Sequence, residues 1–292
     1  MIRVHLIDAS PYAFRAFFSL PDSIRSPGGA PVNAVYGFAS FLIKLIADEA
    51  PTHLALAFDE SLTSSFRNEI YPAYKQQRAL PPAELEAQLG ACREVGEALG
   101  IACYSDERLE ADDILATLAV QLAAAGHEVV VVSNDKDLAQ LVGPRVTFYD
   151  FAKGDRLGPA EVHERWGVEP RQVPDLLGLQ GDAVDNIPGV PGVGKKTAQA
   201  LLERYRDLDH LYEHLDQVPS LALRGAASLA RKLAEHRDQA FLSRQLATAV
   251  TDGAFPADLE KLELKGADPE KVDLLFERLG FQGIRARIPR WR

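Results

Sequence analysis

Ile2-Arg3-Val4-His5-Leu6-Ile7-Asp8 is a short, largely apolar run that ends in an acid. Two later stretches repeat it: His53-Leu54-Ala55-Leu56-Ala57-Phe58-Asp59 and Glu128-Val129-Val130-Val131-Val132-Ser133-Asn134-Asp135. Short apolar runs of this kind suit strands buried on both faces of a parallel sheet. Between them the spacing predicts helices over Asn33–Asp48, Ala83–Leu99 and Asp112–Ala125. The last carries Ile114, Leu115, Leu118, Ala119 and Leu122 along one face. Strands alternating with helices predict an α/β fold with a mostly parallel sheet. Arg145–Leu157 reads as a hairpin turning at Lys153-Gly154-Asp155. After about residue 160 the strand signal stops. Glu161–Trp166, Pro174–Leu179, Lys195–Arg206, Leu208–Leu215, Ala226–His236 and Asp238–Leu246 read as short helices joined by Gly/Pro turns. The expected organisation is an α/β domain over 1–160 and a helical domain over 161–292.

The 292 residues, 47% hydrophobic and 25% charged, are ordinary for a globular chain of one large or two modest domains. Cys92 and Cys103 have no metal-type spacing, which fits a reduced, cytoplasmic setting. Asp8 inside the first apolar run is foreign to a secretory signal. No stretch approaches the roughly 18 apolar residues of a membrane span, so no membrane partner is expected. The net charge of −10 argues at first against nucleic acid. Nine of those negative charges, however, sit in five clusters: Asp8; Asp59; Glu110, Asp112 and Asp113; Asp135 and Asp137; Asp182 and Asp185. Setting them aside leaves −1, and basic residues gather locally at Arg67, Lys75 and Arg78, at Lys195 and Lys196, at Arg224, Arg231, Lys232 and Arg237, and at Arg285, Arg287, Arg290 and Arg292.

The clusters fall at the ends of strand-like runs or the starts of helix-like ones, and ligands of open parallel sheets bind beyond the carboxyl ends of strands. Any one of Asp8, Asp59 and Asp135 is equally an N-cap or a turn aspartate. Three at equivalent ends of one sheet are harder to explain so. Glu110 and Asp113 share a helix face, with Asp112 on the same turn. The helix dipole favours acids there, but like charges 4 Å apart repel by about 1 kcal/mol in water and about 4 kcal/mol at an effective dielectric near 20. Asp135 and Asp137 flank a lysine and point the same way, and Asp182 and Asp185 lie one helical turn apart. An all-oxygen set without His or Cys selects hard cations such as Mg²⁺ or Mn²⁺. Two such ions about 4 Å apart are the apparatus of phosphodiester hydrolysis. All nine acids are therefore expected at one two-metal nuclease centre. His210 and His214 have the spacing of a zinc pair but no third ligand.

Gly189-Val190-Pro191-Gly192-Val193-Gly194-Lys195-Lys196-Thr197-Ala198 misses the phosphate-binding P-loop pattern by one residue, since Lys196 follows Lys195, and no strand precedes it. A helix–hairpin–helix fits better, with backbone N–H groups at a helix start facing phosphates and the two lysines adding charge. An ordinary tight turn is the plain alternative. Ser65 to Arg78 is basic with interleaved aromatics, and Lys75 and Arg78 face one phosphate if that stretch is helical.

Taken together, Leu6-Ile7-Asp8, Val35-Tyr36-Gly37-Phe38, Phe58-Asp59, Tyr74-Lys75-Gln76-Gln77-Arg78, Glu110-Ala111-Asp112-Asp113, Asp135-Lys136-Asp137-Leu138 and Gly181-Asp182 through Ala198 resemble, in order and spacing, the structure-specific 5′-nuclease family. That family holds flap endonucleases, phage 5′-exonucleases, the 5′-nuclease domain of bacterial DNA polymerase I and stand-alone exonucleases of the exonuclease IX type. The resemblance covers essentially the whole chain. It implies a PIN-like α/β domain, an arch over about 62–92, and a helix–three-turn–helix around 181–205. It implies two Mg²⁺ or Mn²⁺ on the nine acids, with Lys75 and Arg78 as catalytic cations at the scissile phosphate. Phe14, Arg15, Arg67, Tyr74, Gly192, Gly194, Lys195, Lys196 and Thr197 become expected DNA contacts, and the carbonyls of Val190 and Val193 expected K⁺ ligands. Phe14 stands where the family commonly has a tyrosine; stacking on a base survives, a hydroxyl hydrogen bond does not. The implied partners are 5′ flaps, nicks and duplex ends, with a monomeric chain and a separate DNA polymerase. The rival readings are a non-catalytic DNA-junction-binding protein, which binds equally well in chelator, and a PIN-type ribonuclease, which has no use for a duplex-gripping hairpin.

Overall fold

The structure, a computed structural model, describes residues 1–60 and 65–292. Strands β1 (Arg3–Asp8), β2 (His53–Ala57), β3 (Ala102–Tyr104), β4 (Glu128–Val132), β5 (Val146–Asp150) and β6 (Asp155–Leu157) form one sheet in the order β3-β2-β1-β4-β5-β6. All neighbours are parallel except β5 and β6, which form the expected antiparallel hairpin at the edge. The chain lays β2 and β3 on one side of β1 and β4 to β6 on the other. The order therefore reverses between β1 and β4, which opens a crevice beyond their carboxyl ends. Register brings Ile7 level with both Leu56 and Val132, so Asp8, Asp59 and Asp135 leave the sheet on the same edge.

Thirteen helices complete the described chain: α1 (Ser10–Ser19), α2 (Asn33–Glu49), α3 (Phe66–Ile70), α4 (Ala83–Ala98), α5 (Ala111–Ala124), α6 (Pro159–Trp166), α7 (Val173–Gln180), α8 (Lys195–Arg204), α9 (Leu208–Glu213), α10 (Ala226–Glu235), α11 (Arg237–Ala247), α12 (Leu259–Leu262) and α13 (Pro269–Leu279). Alternate strand residues feed two cores, which is why the strands read as continuous apolar runs. Val4, Leu6, Ala55, Ala57, Val129 and Val131 join Ile114, Leu115 and Leu118 of α5. Ile7, Leu54, Leu56, Val130 and Val132 join Phe38 and Leu42 of α2, Val95 of α4, and Leu275 and Phe276 of α13. Each fully buried side chain of this size contributes about 1.5–3 kcal/mol through loss of apolar surface to water.

Three features add to the expected organisation. Near residue 160 the element type changes while the apolar packing continues: Val162, Leu176, Leu177, Leu201 and Leu233 belong to the same apolar cluster as Val4 and Leu6. The end of the chain leaves the helical half altogether. Leu264 N–H donates to Thr52 O (2.8 Å), Asp268 N–H to Ala98 O (2.9 Å), and α13 packs on α4. The expected arch over 62–92 begins in residues 61–64, outside the described ones. Its remainder is α3, a run of turns over 72–78 and the start of α4, so Lys75 and Arg78 do not lie on a helix. Among the described residues, no helix is long and apolar enough to cross a membrane.

Candidate metal centre and nucleic-acid interface

Helix α5 begins in the crevice, and acids satisfy its first amides. Glu110 is the N-cap in an extended conformation; Asp113, three residues on, accepts from the Glu110 N–H (3.1 Å). Asp59, beyond β2, accepts from the Ala111 N–H (2.9 Å). Donors that a helix start leaves free thus take carboxylates from two elements.

Asp113, expected among the metal ligands, is instead saturated by protein donors. It is fully buried. Its two oxygens accept from Arg67 Nη1 and Nη2, both at 2.7 Å, and Oδ1 also accepts from the Val250 N–H (2.8 Å). Arg67, expected to contact DNA, is saturated in turn. It is 3% exposed, and its remaining donors reach Leu246 O (2.8 Å), Thr248 O (3.0 Å) and Glu110 Oε2 (3.3 Å). All five guanidinium N–H groups are thereby engaged, leaving none for a phosphate. Tyr74, another expected DNA contact, is also buried and donates its hydroxyl to Glu110 (3.2 Å).

Four acids have the opposite surroundings. Asp8 is buried at the end of β1. Burial, then the nearby Asp59 charge, pushes its pKa well above the carboxylate range despite a hydrogen bond from Ser133 Oγ (2.8 Å). Asp112 is raised well above that range too, by burial and then by Asp135, Asp8 and Asp59, and among the described residues no donor reaches its carboxylate. Asp135 is raised by burial, with Asp185 adding and the Asp137 N–H (2.9 Å) opposing. Asp137 is pushed up to about 8 by burial and by Asp135, and its Oδ1 is buried without a hydrogen-bond partner. Crowded carboxylates with one donor or none apiece fit a hard cation in chemistry.

Glu110, Asp182 and Asp185 carry protein cations. Lys75 Nζ lies 2.9 Å from Glu110 Oε1 and 3.9 Å from Asp185 Oδ2; burial opposes its charge, but these acids win and hold it protonated above the usual lysine range. Arg78 pairs with Asp185, and Lys136 with Asp182. The nine acids therefore do not form one preassembled shell. Among the described residues, no group of three or more His, Cys, Asp or Glu stands in ligand geometry. Lys75 and Lys136 take up carboxylates that the spacing alone assigned to metal.

The glycine loop follows directly. Asp182 and Ile187 exchange backbone hydrogen bonds of 2.9 and 2.8 Å, closing a tight turn that carries Asp185. Gly189 has φ +60°, and a Cβ there would stand 2.2 Å from Gly181 N, so only glycine fits. Helix α11 braces it: Gly189 N–H donates to Ser243 Oγ (3.0 Å), and Gln239 donates to Gly189 O (2.6 Å). Gly192, Gly194, Lys195 and Lys196 are exposed, Thr197 is half-buried, and no side chain caps α8 at Gly194. Val190 and Val193 have buried side chains, and Val190 O already accepts from Val193 N–H (3.0 Å). On α1, Phe14 is half-buried and Arg15 exposed. Ser133, Lys136, Gln77 and Asn186 are contributors that motif reading passed over. Lys136 had a visible signal in its position between Asp135 and Asp137, and Ser133 in its place just ahead of them.

Residues 3–167 match a family model described as the N-terminal resolvase-like domain of 5′-3′ exonuclease, and residues 168–270 one described as the C-terminal SAM fold of 5′-3′ exonuclease. Over 290 residues, 97% of the chain, it is 41% identical to DNA polymerase I of Rhizobium leguminosarum, and over 287 residues, again 97%, 41% identical to DNA polymerase I of Bacillus subtilis. The chain spans 28% and 32% of those relatives' lengths. Among solved structures, T5 5′-exonuclease with bound divalent zinc ions superposes with a TM-score of 0.71 at 18% identity, covering 95% of this chain and 99% of that one. The catalytic core of Rad2 in complex with DNA substrate gives 0.63 at 14%, covering 98% and 90%. At those identities the superpositions establish a shared fold.

Proposed function

This chain belongs to the 5′-3′ exonuclease family, and from that premise we propose that it hydrolyses phosphodiesters near the 5′ end of flapped or nicked duplex DNA, with hard divalent cations as cofactor. The observation that carries the reading is the set Asp8, Asp112, Asp135 and Asp137, four carboxylates crowded at the switch point of the sheet, raised in pKa and short of donors. With Asp59, and with Glu110, Asp182 and Asp185 once their lysine and arginine partners turn elsewhere, they are the residues that would hold Mg²⁺ or Mn²⁺. Bound there, the ions supply Lewis-acid activation of water and neutralise charge at the scissile phosphate.

The chain's own groups do the rest. Lys75 and Arg78, already drawn to the acidic crevice, offer charge where it develops on the phosphate. The loop at 189–194 and the exposed Lys195 and Lys196 grip the duplex backbone without reading sequence. Phe14 and Arg15 on α1 are the candidate contacts to a 5′ end leaving the crevice, and the carbonyls of Val190 and Val193 are the candidate K⁺ ligands of the hairpin. Carboxylates between a lysine-bearing turn and a braced hairpin fix the cut at a set distance from the gripped duplex. The test is product sizing on end-labelled flap, nicked and blunt DNA. Cleavage that requires Mg²⁺, stops in excess chelator and falls at least a hundredfold in Asp135→Ala supports the proposal. Cleavage that persists in chelator, or that prefers an RNA flap, overturns it.

A further inference from the structure

Residues 73–78 and 182–187 come from opposite halves of the chain, and they are joined by reciprocal hydrogen bonds to main-chain carbonyls. Lys75 N–H donates to Asp185 O (2.9 Å). Asn186 Nδ2 donates back to Ala73 O (2.6 Å). Gln77 Nε2 donates to Ala183 O (2.7 Å) and Val184 O (3.2 Å). Lys75 and Asn186 are two of three non-glycine residues with positive φ among the described residues, at 54° and 57°. Such a conformation costs about 1–2 kcal/mol in an ordinary residue and less in asparagine, so the surroundings must hold Lys75 in it. The lysine side chain leaves from that strained position to reach Glu110 and Asp185. The hairpin that grips duplex begins three residues beyond Asn186.

We propose that Asn186, seconded by Gln77, is a positioning residue for the cations of this site: its side-chain amide pins the turn at Ala73, which sets the backbone of Lys75 and through it the place of the Lys75 amine and the Arg78 guanidinium. The inference deepens the proposed nuclease reading and rests on it. It identifies residues 183–186, the apex of the turn that leads into the hairpin, as the template on which the catalytic turn is built. Asparagine suits the role twice, by tolerating the left-handed backbone and by keeping two side-chain donors. Aspartate offers the first without the second, and glycine likewise.

The experiment compares wild type with Asn186→Gly, Asn186→Asp, Lys75→Ala and the double variant Lys75→Ala/Asn186→Gly. Single-turnover cleavage of a 5′-flap duplex in Mg²⁺ is read beside equilibrium binding of the same duplex in Ca²⁺. Asn186→Gly keeps the backbone and deletes the donor. The single-turnover rate is expected to fall about tenfold with duplex affinity and melting temperature within twofold and 2 °C of wild type. In the Lys75→Ala background the same change is expected to cost clearly less than in wild type, because only Arg78 is left to misplace. An Asn186→Gly enzyme at full rate, or an undiminished extra loss in the Lys75→Ala background, overturns the proposal. A loss of duplex affinity equal to the loss of rate overturns it also, because it assigns Asn186 to the hairpin. A wild type that binds but never cuts defeats the nuclease reading instead, and is seen before any variant is compared.

Discussion

Asp112 and Asp113 are neighbours on the first turn of one helix, and their surroundings are opposite. Asp113 is fully enclosed and accepts two guanidinium N–H groups and two backbone amides. Asp112 has no donor among the described residues and faces Asp135, Asp8 and Asp59. Acid density along the sequence cannot separate them. What separates a structural carboxylate from a cation-seeking one is the donor count, and the 3.6-residue helical period decides that by turning Asp113 toward Arg67 and Asp112 toward the crevice.

The largest effect expected from this contrast is on stability. Removing one partner of a buried ion pair leaves an uncompensated charge and costs about 3–5 kcal/mol. Arg67→Ala or Asp113→Asn is therefore expected to lower unfolding free energy by that amount in urea denaturation. Because Arg67 also holds Leu246 O and Thr248 O, the loss should be accompanied by faster proteolysis near the end of α11. Asp112→Asn is expected to move the other way in chelator at pH 7, gaining on the order of 1 kcal/mol as like-charge repulsion is relieved, while losing cleavage. A stabilising Asp113→Asn erases the distinction.

The helical half and the α/β half were unequally legible. Strands ending in acids, the hairpin at β5 and β6, and the helical run after residue 160 were all visible, because burial on both faces and Gly/Pro punctuation leave strong local patterns. β3 was not, since its three residues, Ala102–Tyr104, are too few to show a period. Nor was the return of α13 to α4, a contact between residues far apart in the chain. At the site, the acids were recognisable by type and position. The reassignment of Asp113, Arg67 and Tyr74 to an internal network was not, because an arginine beside aromatics reads the same whether it faces a phosphate or a buried carboxylate. The helical spacing that would turn Lys75 and Arg78 to one phosphate is absent from these turns; their side chains reach the acids all the same.

A pH-dependent effect sharpens the contrast from inside β1. His5 is buried, with both ring nitrogens unpartnered; Glu49 lies 3.7 Å away, too far for a hydrogen bond. Burial chiefly, helped by Arg156 and Arg3 against the pull of Glu49, depresses its pKa from 6.5 to about 4. Its folded pKa lies below the unfolded one, so the unfolded chain alone gains a proton as pH falls from 6.5 toward 4. Stability is full above 6.5 and drops by up to about 3 kcal/mol across that window. His5→Leu is expected to flatten that part of the stability–pH curve relative to wild type. An unchanged slope contradicts the assignment.

The central claim is that adjacent acids divide between holding the fold and holding a cation, and the melting temperature with and without Mg²⁺ tests it most directly. Wild type is expected to rise in Mg²⁺ because ligand that binds only the folded state stabilises it. Asp113→Asn should start several degrees lower and keep that rise; Asp112→Asn should start no lower than wild type and lose it. A Mg²⁺ increment that survives Asp112→Asn and disappears in Asp113→Asn would contradict the account.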